Sequence, residues 1–170
     1  MTGGAGDAYA DLLAANDTYA ASFALAGLEA RAAKGLALVT CIDSRIEPLA
    51  AFGLVPGDAK ILRNAGGRVT HDVVRSLAVA TALLGVERVV VMHHSRCAMA
   101  GMAEPALRAG VLAGGAELPD GYDLLAMNDP TAALLEDVRR VRESPMVRPG
   151  VVVTGWRYDV DTGRVSVEVP

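Results

Sequence analysis

Residues 87–97 read ERVVVMHHSRC. The valine-rich first half predicts a strand, because β-branched side chains suit a pleated, packed surface. The second half sets two histidines, an arginine and a cysteine directly where that strand ends. The same arrangement occurs twice upstream. LALVT at 36–40 is a short apolar run followed by CIDSR at 41–45, and Ala59 to Leu62 is followed by RNAGG at 63–67. Helical stretches alternate with these runs, which predicts an α/β fold: a mostly parallel central β-sheet flanked by helices. In such sheets ligands bind beyond the carboxyl ends of the strands. The three polar clusters are therefore expected on one edge of the sheet.

Outward from this centre, residues 7 to about 33 carry Leu12, Leu13, Tyr19, Phe23, Leu25 and Leu28 at roughly helical spacing. They predict a helical arm over 1–34, ended by Lys34-Gly35, with Asn16, Asp17 and Thr18 as candidates for a break. An α/β core over 35–170 completes one domain. A short helix is expected around Glu47 to Phe52. Thr70 is a candidate N-cap for a helix from His71 to Leu84, closed by Gly85. Met99 to Leu107 reads as helix, and the Gly-rich stretch Ala109 to Tyr122 as loop. Asp129-Pro130 opens a helix to Val141. VVVT at 151–154 predicts a fourth strand, and Trp156–Val160 with Arg164–Val169 a terminal hairpin around Asp161-Thr162-Gly163.

Composition excludes several classes. The chain has 170 residues, 52% hydrophobic and 21% charged, which is globular rather than disordered. Its formal net charge of −4 argues against a nucleic-acid partner, which selects a basic face. No run approaches the roughly 20 apolar residues of a membrane span, so no membrane partner is expected. Met1 to Asp7 lacks a positive region followed by an apolar run, so no signal peptide is expected and the location read is cytoplasmic. In a reducing cytosol the two cysteines, Cys41 and Cys97, suit metal binding, catalysis or plain burial better than a disulfide.

Cys41, His94 and Cys97 form a candidate metal site. Zinc favours thiolate and imidazole, and three protein ligands leave a fourth position for water or substrate. His94 and Cys97 are three residues apart and can chelate one ion from a turn, while Cys41 is the remaining thiol. The bland alternative is a pair of small buried cysteines. His93 is a second candidate, but adjacent side chains on a strand point apart, which leaves it to packing or support. Asp43 and Arg45 follow Cys41 at two and four residues, and an aspartate beside an arginine stays ionised. The alternative there is a surface ion pair worth about 0–1 kcal/mol. RNAGG offers backbone N–H groups to a small anion, though Gly-Gly alone is only a turn.

CIDSR resembles the Cys-x-Asp-x-Arg motif of β-carbonic anhydrases, RNAGG their Arg-Asn-Ala-Gly loop, and HHSRC their His-x-x-Cys motif, all in the family's order. The similarity runs from about Leu36 to Met102. It implies Zn2+ held by Cys41, His94 and Cys97, with Asp43 and Arg45 as the catalytic dyad and Asp43 as a possible fourth ligand that closes the site. It implies reversible hydration of carbon dioxide to bicarbonate and a proton, by attack of zinc-bound hydroxide. It also implies a homodimer or homotetramer built partly by the amino-terminal arm. Gly66 and Ala98 then belong to the substrate-binding surface. Ala98 stands where the family usually has glycine, and Arg96 where a small, polar or acidic residue is common. Proteins of similar fold hydrolyse carbon disulfide or carbonyl sulfide, which is the alternative activity. A closed zinc site without catalysis is the non-enzymatic one. His71 and His93 are candidate proton relays.

Overall fold

A computed structural model of the chain describes residues 7–170. The first six residues of the expected arm, and with them most of the stretch read for a signal peptide, lie outside the described residues. Strands β1 (Leu36–Cys41) and β3 (Arg88–His94) are buried from their second residue onward. That explains why each reads as an unbroken apolar run: a parallel strand with both faces covered has no side to spare for polar groups. β2 (Ala59–Asn64) and β4 (Val152–Tyr158) flank them in parallel, and β5 (Val165–Val169) adds an antiparallel edge. The order is β2-β1-β3-β4-β5. The direction of winding reverses between β1 and β3, the point at which open α/β sheets leave a crevice for ligands. Thr40 pairs in register with both Arg63 and Met92, so the three strands end level.

Helices α1 (Ala10–Ala21), α2 (Pro48–Ala51), α3 (His71–Leu83), α4 (Ala98–Gly101), α5 (Glu104–Ala113) and α6 (Pro130–Arg142) complete the described chain. Both long core helices start as read. Thr70 Oγ1 accepts from Val73 N, and Asp129 accepts from Thr131 N and Ala132 N with Pro130 at the first position. α3 and α6 cover one face of the sheet. Val73, Leu77 and Ala80 of α3 and Leu134, Val138 and Val141 of α6 pack on Val39, Val89, Val91 and Val153. The other face holds Leu38, Ile46, Val90, Met92 and Met127, with Phe52 and Trp156 partly buried against them.

Four expectations need correction. The arm helix runs through Asn16, Asp17 and Thr18, and stops at Ala21 rather than near residue 33. Beyond it, Ala32 N, Ala33 N and Lys34 N bond to Leu84 O, Gly57 O and Asp58 O. These core carbonyls hold the backbone out of a helix. VVVT and Trp156 to Tyr158 form one strand, not two, so the terminal hairpin is β4–β5. The helical stretch after Cys97 is broken at Met102-Ala103, where the backbone is extended. Residues 109–113 finish α5 instead of opening a loop. No helix among the described residues is long and apolar enough to cross a membrane.

Candidate metal centre

Cys41 ends β1, His94 ends β3, and Cys97 lies three residues further, at the start of α4. All three are buried, and their ligand atoms lie within 4.8 Å of one another. Two ligand atoms sharing a tetrahedral zinc stand about 3.5–3.8 Å apart, so closure on an ion needs about an ångström of movement. His94 Nδ1 lies 2.9 Å from Ser95 O. A carbonyl can only accept, so Nδ1 carries the proton and Nε2 is left as a bare lone pair. That Nε2 is buried without a hydrogen-bond partner. An orphaned imidazole nitrogen beside two thiols is what a metal-binding histidine, oriented by its other ring nitrogen, presents before the metal arrives.

The sulfurs are prepared in the same way. Cys41 is drawn far below the ordinary thiol range, first by the hydrogen bond from Cys97 and, against the cost of burial, by the backbone N–H groups of Asp43 and Gly66. Cys97 is pushed up, chiefly because it holds the proton that Cys41 gives up, although the N–H groups of Met99 and Ala100 favour its thiolate. A soft divalent cation would suit both sulfurs as thiolates.

Asp43 stands beside this set and is turned from it by Arg45. Arg45 Nε and Nη2 reach Asp43 Oδ1 and Oδ2 at 2.9 and 2.7 Å, and the Arg45 backbone N–H adds a bond of 3.0 Å to Oδ1. This bidentate grip, led by the guanidinium hydrogen bond, holds the Asp43 carboxyl well below the usual carboxylate range. Asp43 Oδ2 lies 3.9 Å from His94 Nε2, at the edge of the ligand cluster. The pair is not a remote surface bridge, since Asp43 is 18% exposed and forms the solvent side of the centre. Arg45 Nη2 also reaches Arg96 O at 3.2 Å.

Other residues read from the sequence fall in different places. Gly66, with φ of +81°, is buried in the loop that follows β2. A methyl group there would meet Met127, Met99 and Arg68 side chains at 3.3 Å. Ala98 is exposed at the first position of α4. His71 is exposed at the start of α3, outside the cluster. His93 turns to the opposite face, where Nε2 meets Asp137 Oδ2 at 3.1 Å. Arg96 adopts φ of +52°, and its guanidinium pairs with Asp161 in the β4–β5 turn. A surface groove of about 810 Å³ lies at the other end of the strands around Arg31, Lys34 and Asp58, and shares no residue with the centre.

Two supports escaped the sequence reading. Arg63 donates from Nε to Cys41 O at 2.9 Å and from Nη2 to Asp43 O at 2.7 Å. The arginine of RNAGG therefore pins the backbone of CIDSR, and only the neighbouring strand register makes that reach possible. Asp137, fully buried on α6, binds Arg68, Val69 N and His93. Its signal was present: it sits among Ala133, Leu134 and Val141 on the apolar face of the helix, where an unpaired aspartate is rare.

Comparison with known proteins agrees with this geometry. Residues 36–113 match the carbonic anhydrase family model. The β-carbonic anhydrase 1 of Mycobacterium tuberculosis is 30% identical over 160 residues, 94% of this chain and 97% of that protein. The crystal structure of carbonic anhydrase from Streptococcus mutans superposes with a TM-score of 0.86 at 36% identity, covering 94% of this chain and 96% of that one. A carbon disulfide hydrolase of Acidianus is 28% identical over 151 residues, 75% of this chain and 74% of that protein. Sequence, fold and site converge, and the chain belongs to the β-carbonic anhydrase family.

Proposed function

We propose that the chain catalyses the reversible hydration of carbon dioxide to bicarbonate and a proton, with zinc held by Cys41, His94 and Cys97. The observation that carries this reading is the orphaned, buried His94 Nε2 lying between two thiols and within 3.9 Å of an arginine-held aspartate. Zinc supplies the Lewis acidity that makes hydroxide from water near neutral pH. Asp43, kept ionised by Arg45, is only an acceptor. It takes the O–H of the incoming nucleophile and turns the oxygen lone pair toward the carbon of the substrate. Arg45 holds both carboxylate oxygens, which favours the open arrangement over one in which Asp43 occupies the fourth position. Ile46, Met92 and Met127 pack in one buried apolar cluster with Cys41 and Cys97 and back the centre. The proton leaves to solvent past Arg45, whose side chain is 41% exposed.

The carbon disulfide hydrolases supply the second reading, since they share this chain's sequence over about three quarters of its length. The match to β-carbonic anhydrase 1, over 94% of the chain, favours carbon dioxide.

The active assembly in this reading is a homodimer or a dimer of dimers. α1 buries none of its side chains, and Leu12, Leu13, Tyr19 and Phe23 stand exposed. A groove of about 470 Å³ lined by Leu36, Leu38, Phe52, Val90 and Trp156 lies open on the second face of the sheet. The arm of a second copy covering that groove satisfies both surfaces. Two thiolate ligands suit a reducing compartment, and the cytoplasm is the location we assign.

The test is stopped-flow hydration of carbon dioxide by zinc-loaded protein from pH 6.5 to 9, alongside Asp43→Ala. Hydration that rises with pH and falls at least a hundredfold in the variant supports the reading. Zinc-loaded protein that hydrates no carbon dioxide but releases sulfide from carbon disulfide moves the assignment to the second reading.

A further inference from the structure

Asp137 is the least exposed carboxylate of the described chain, at 0%, yet it makes three polar contacts. Oδ2 accepts from Arg68 Nε at 2.7 Å and from His93 Nε2 at 3.1 Å, while Oδ1 accepts from Val69 N at 3.1 Å. Burial pushes this carboxyl up, but the hydrogen bonds from His93 and Arg68 outweigh it and hold Asp137 below its ordinary value. A single helix residue thereby reaches two segments of the metal centre.

The first is the loop that supports Cys41. Arg68 is locked to Asn64 by two bonds, Arg68 N to Asn64 Oδ1 at 2.8 Å and Asn64 Nδ2 to Arg68 O at 2.7 Å. These close residues 64–68 into a tight loop whose Gly67 lies against the backbone that carries Cys41, where a Cβ would stand 3.0 Å from Cys41 N. Arg68 Nη1 also holds Leu125 O at 3.0 Å. Two residues on, Met127 bonds to Met99 O at 2.7 Å and packs over Gly66. The second segment is the end of β3. His93 precedes the ligand His94 and points to the other face, so anchoring its ring fixes the last peptide before the ligand.

We propose that Asp137 is a positioning residue of the metal centre: one buried carboxylate sets both the loop behind Cys41 and the strand end that carries His94. The inference rests on the zinc reading above. It goes beyond the three ligands and the Asp43–Arg45 pair, because Asp137 lies on the far side of the sheet from the ligand atoms. An asparagine side chain is a poor substitute for this carboxylate. All three of its neighbours are donors, and an amide nitrogen facing any of them adds a fourth.

The experiment measures zinc affinity by competition with a chromophoric chelator, and the thermal midpoint of the metal-free protein, for Asp137→Asn, Asn64→Ala, the double variant and Val138→Ala. Val138 is the core neighbour of Asp137 and serves as the control for lost stability. Zinc affinity is expected to fall about tenfold or more in Asp137→Asn and in Asn64→Ala. Because both act on one loop, the double variant should fall short of the product of the single losses. Val138→Ala should lower the midpoint and keep affinity within about twofold. The inference is overturned if Asp137→Asn keeps wild-type affinity, if Val138→Ala loses as much, or if the single losses multiply. Should Asp137→Asn not fold, Asn64→Ala decides: a tenfold loss supports the inference and unchanged affinity overturns it. Wild-type protein that binds no zinc overturns the zinc reading itself, a result distinct from all of these.

Discussion

Gly67 gives the sharpest test of how the centre is built. Its φ is +68°, and a Cβ placed on it would stand 2.9 Å from the carbonyl carbon of Thr40, 3.0 Å from Cys41 N and 3.1 Å from Met92 O. These are backbone atoms of β1 and β3 at the sheet's reversal point, and no rotamer change can move them. Gly67→Ala therefore costs about 1–2 kcal/mol for the left-handed backbone and about 1–3 kcal/mol for overpacking, about 2–5 kcal/mol together. In a domain of this size that lowers the thermal midpoint by roughly 4–20 °C. Gly27 is the control. Its φ is +90°, but nothing lies within 4 Å of a Cβ there, so Gly27→Ala incurs only the backbone cost. Urea denaturation of the two metal-free variants makes the comparison. Zinc titration of Gly67→Ala should also show weakened binding, because the displaced atoms carry Cys41. Equal destabilisation by the two substitutions would refute the close-approach reasoning.

Other outcomes follow from the same geometry. Cys41→Ser, His94→Ala and Cys97→Ser should each leave less than about a tenth of a zinc per chain after dialysis against a mild chelator, because no other cluster of candidate ligands lies nearby among the described residues. Arg96→Gly should stabilise the chain by up to about 1 kcal/mol, since φ of +52° suits glycine. Asp161→Asn, by removing an exposed ion pair worth about 0–1 kcal/mol, should change kcat no more than about fivefold, read in the hydration assay. Asp43 ionises below its unfolded value of about 3.9. Its contribution to stability is therefore whole above about pH 5 and lost as pH falls through the lowered native value. Metal-free Asp43→Asn should show a shallower acid loss of its urea midpoint below about pH 4 than wild type.

The centre was legible because its chemistry sits at strand ends. CIDSR, RNAGG and HHSRC each follow an apolar run, and a parallel sheet brings such ends level whatever the loops between them do. His94 was separable from His93 by spacing to Cys97 and by strand alternation, and the two rings do face opposite ways. What the sequence withheld depends on contacts distant along the chain. The arm helix stops at Ala21, and residues 32–34 are held by the carbonyls of Leu84, Gly57 and Asp58, none of which local periodicity can report. VVVT and the stretch from Trp156 read as two strands, yet β4 runs through Gly155, where Val138 and Val169 leave no space for a side chain. α5 outlasts its Gly-rich sequence while Glu104 caps Leu124 N and Ala126 N, and Arg108 holds the carbonyls of Pro119 and Tyr122. Arg63 and Asp137 act across the sheet, at positions fixed only by strand register and helix placement.

The most direct measurement is zinc X-ray absorption on the loaded protein and on Asp43→Asn. Two sulfurs near 2.3 Å, one nitrogen near 2.0 Å and one further light atom are predicted, with the same shell in the variant because Arg45 holds Asp43 away from the ion. A shell without two sulfurs would contradict the assignment of Cys41 and Cys97, and a light-atom ligand lost or lengthened only in Asp43→Asn would show the aspartate itself on the metal.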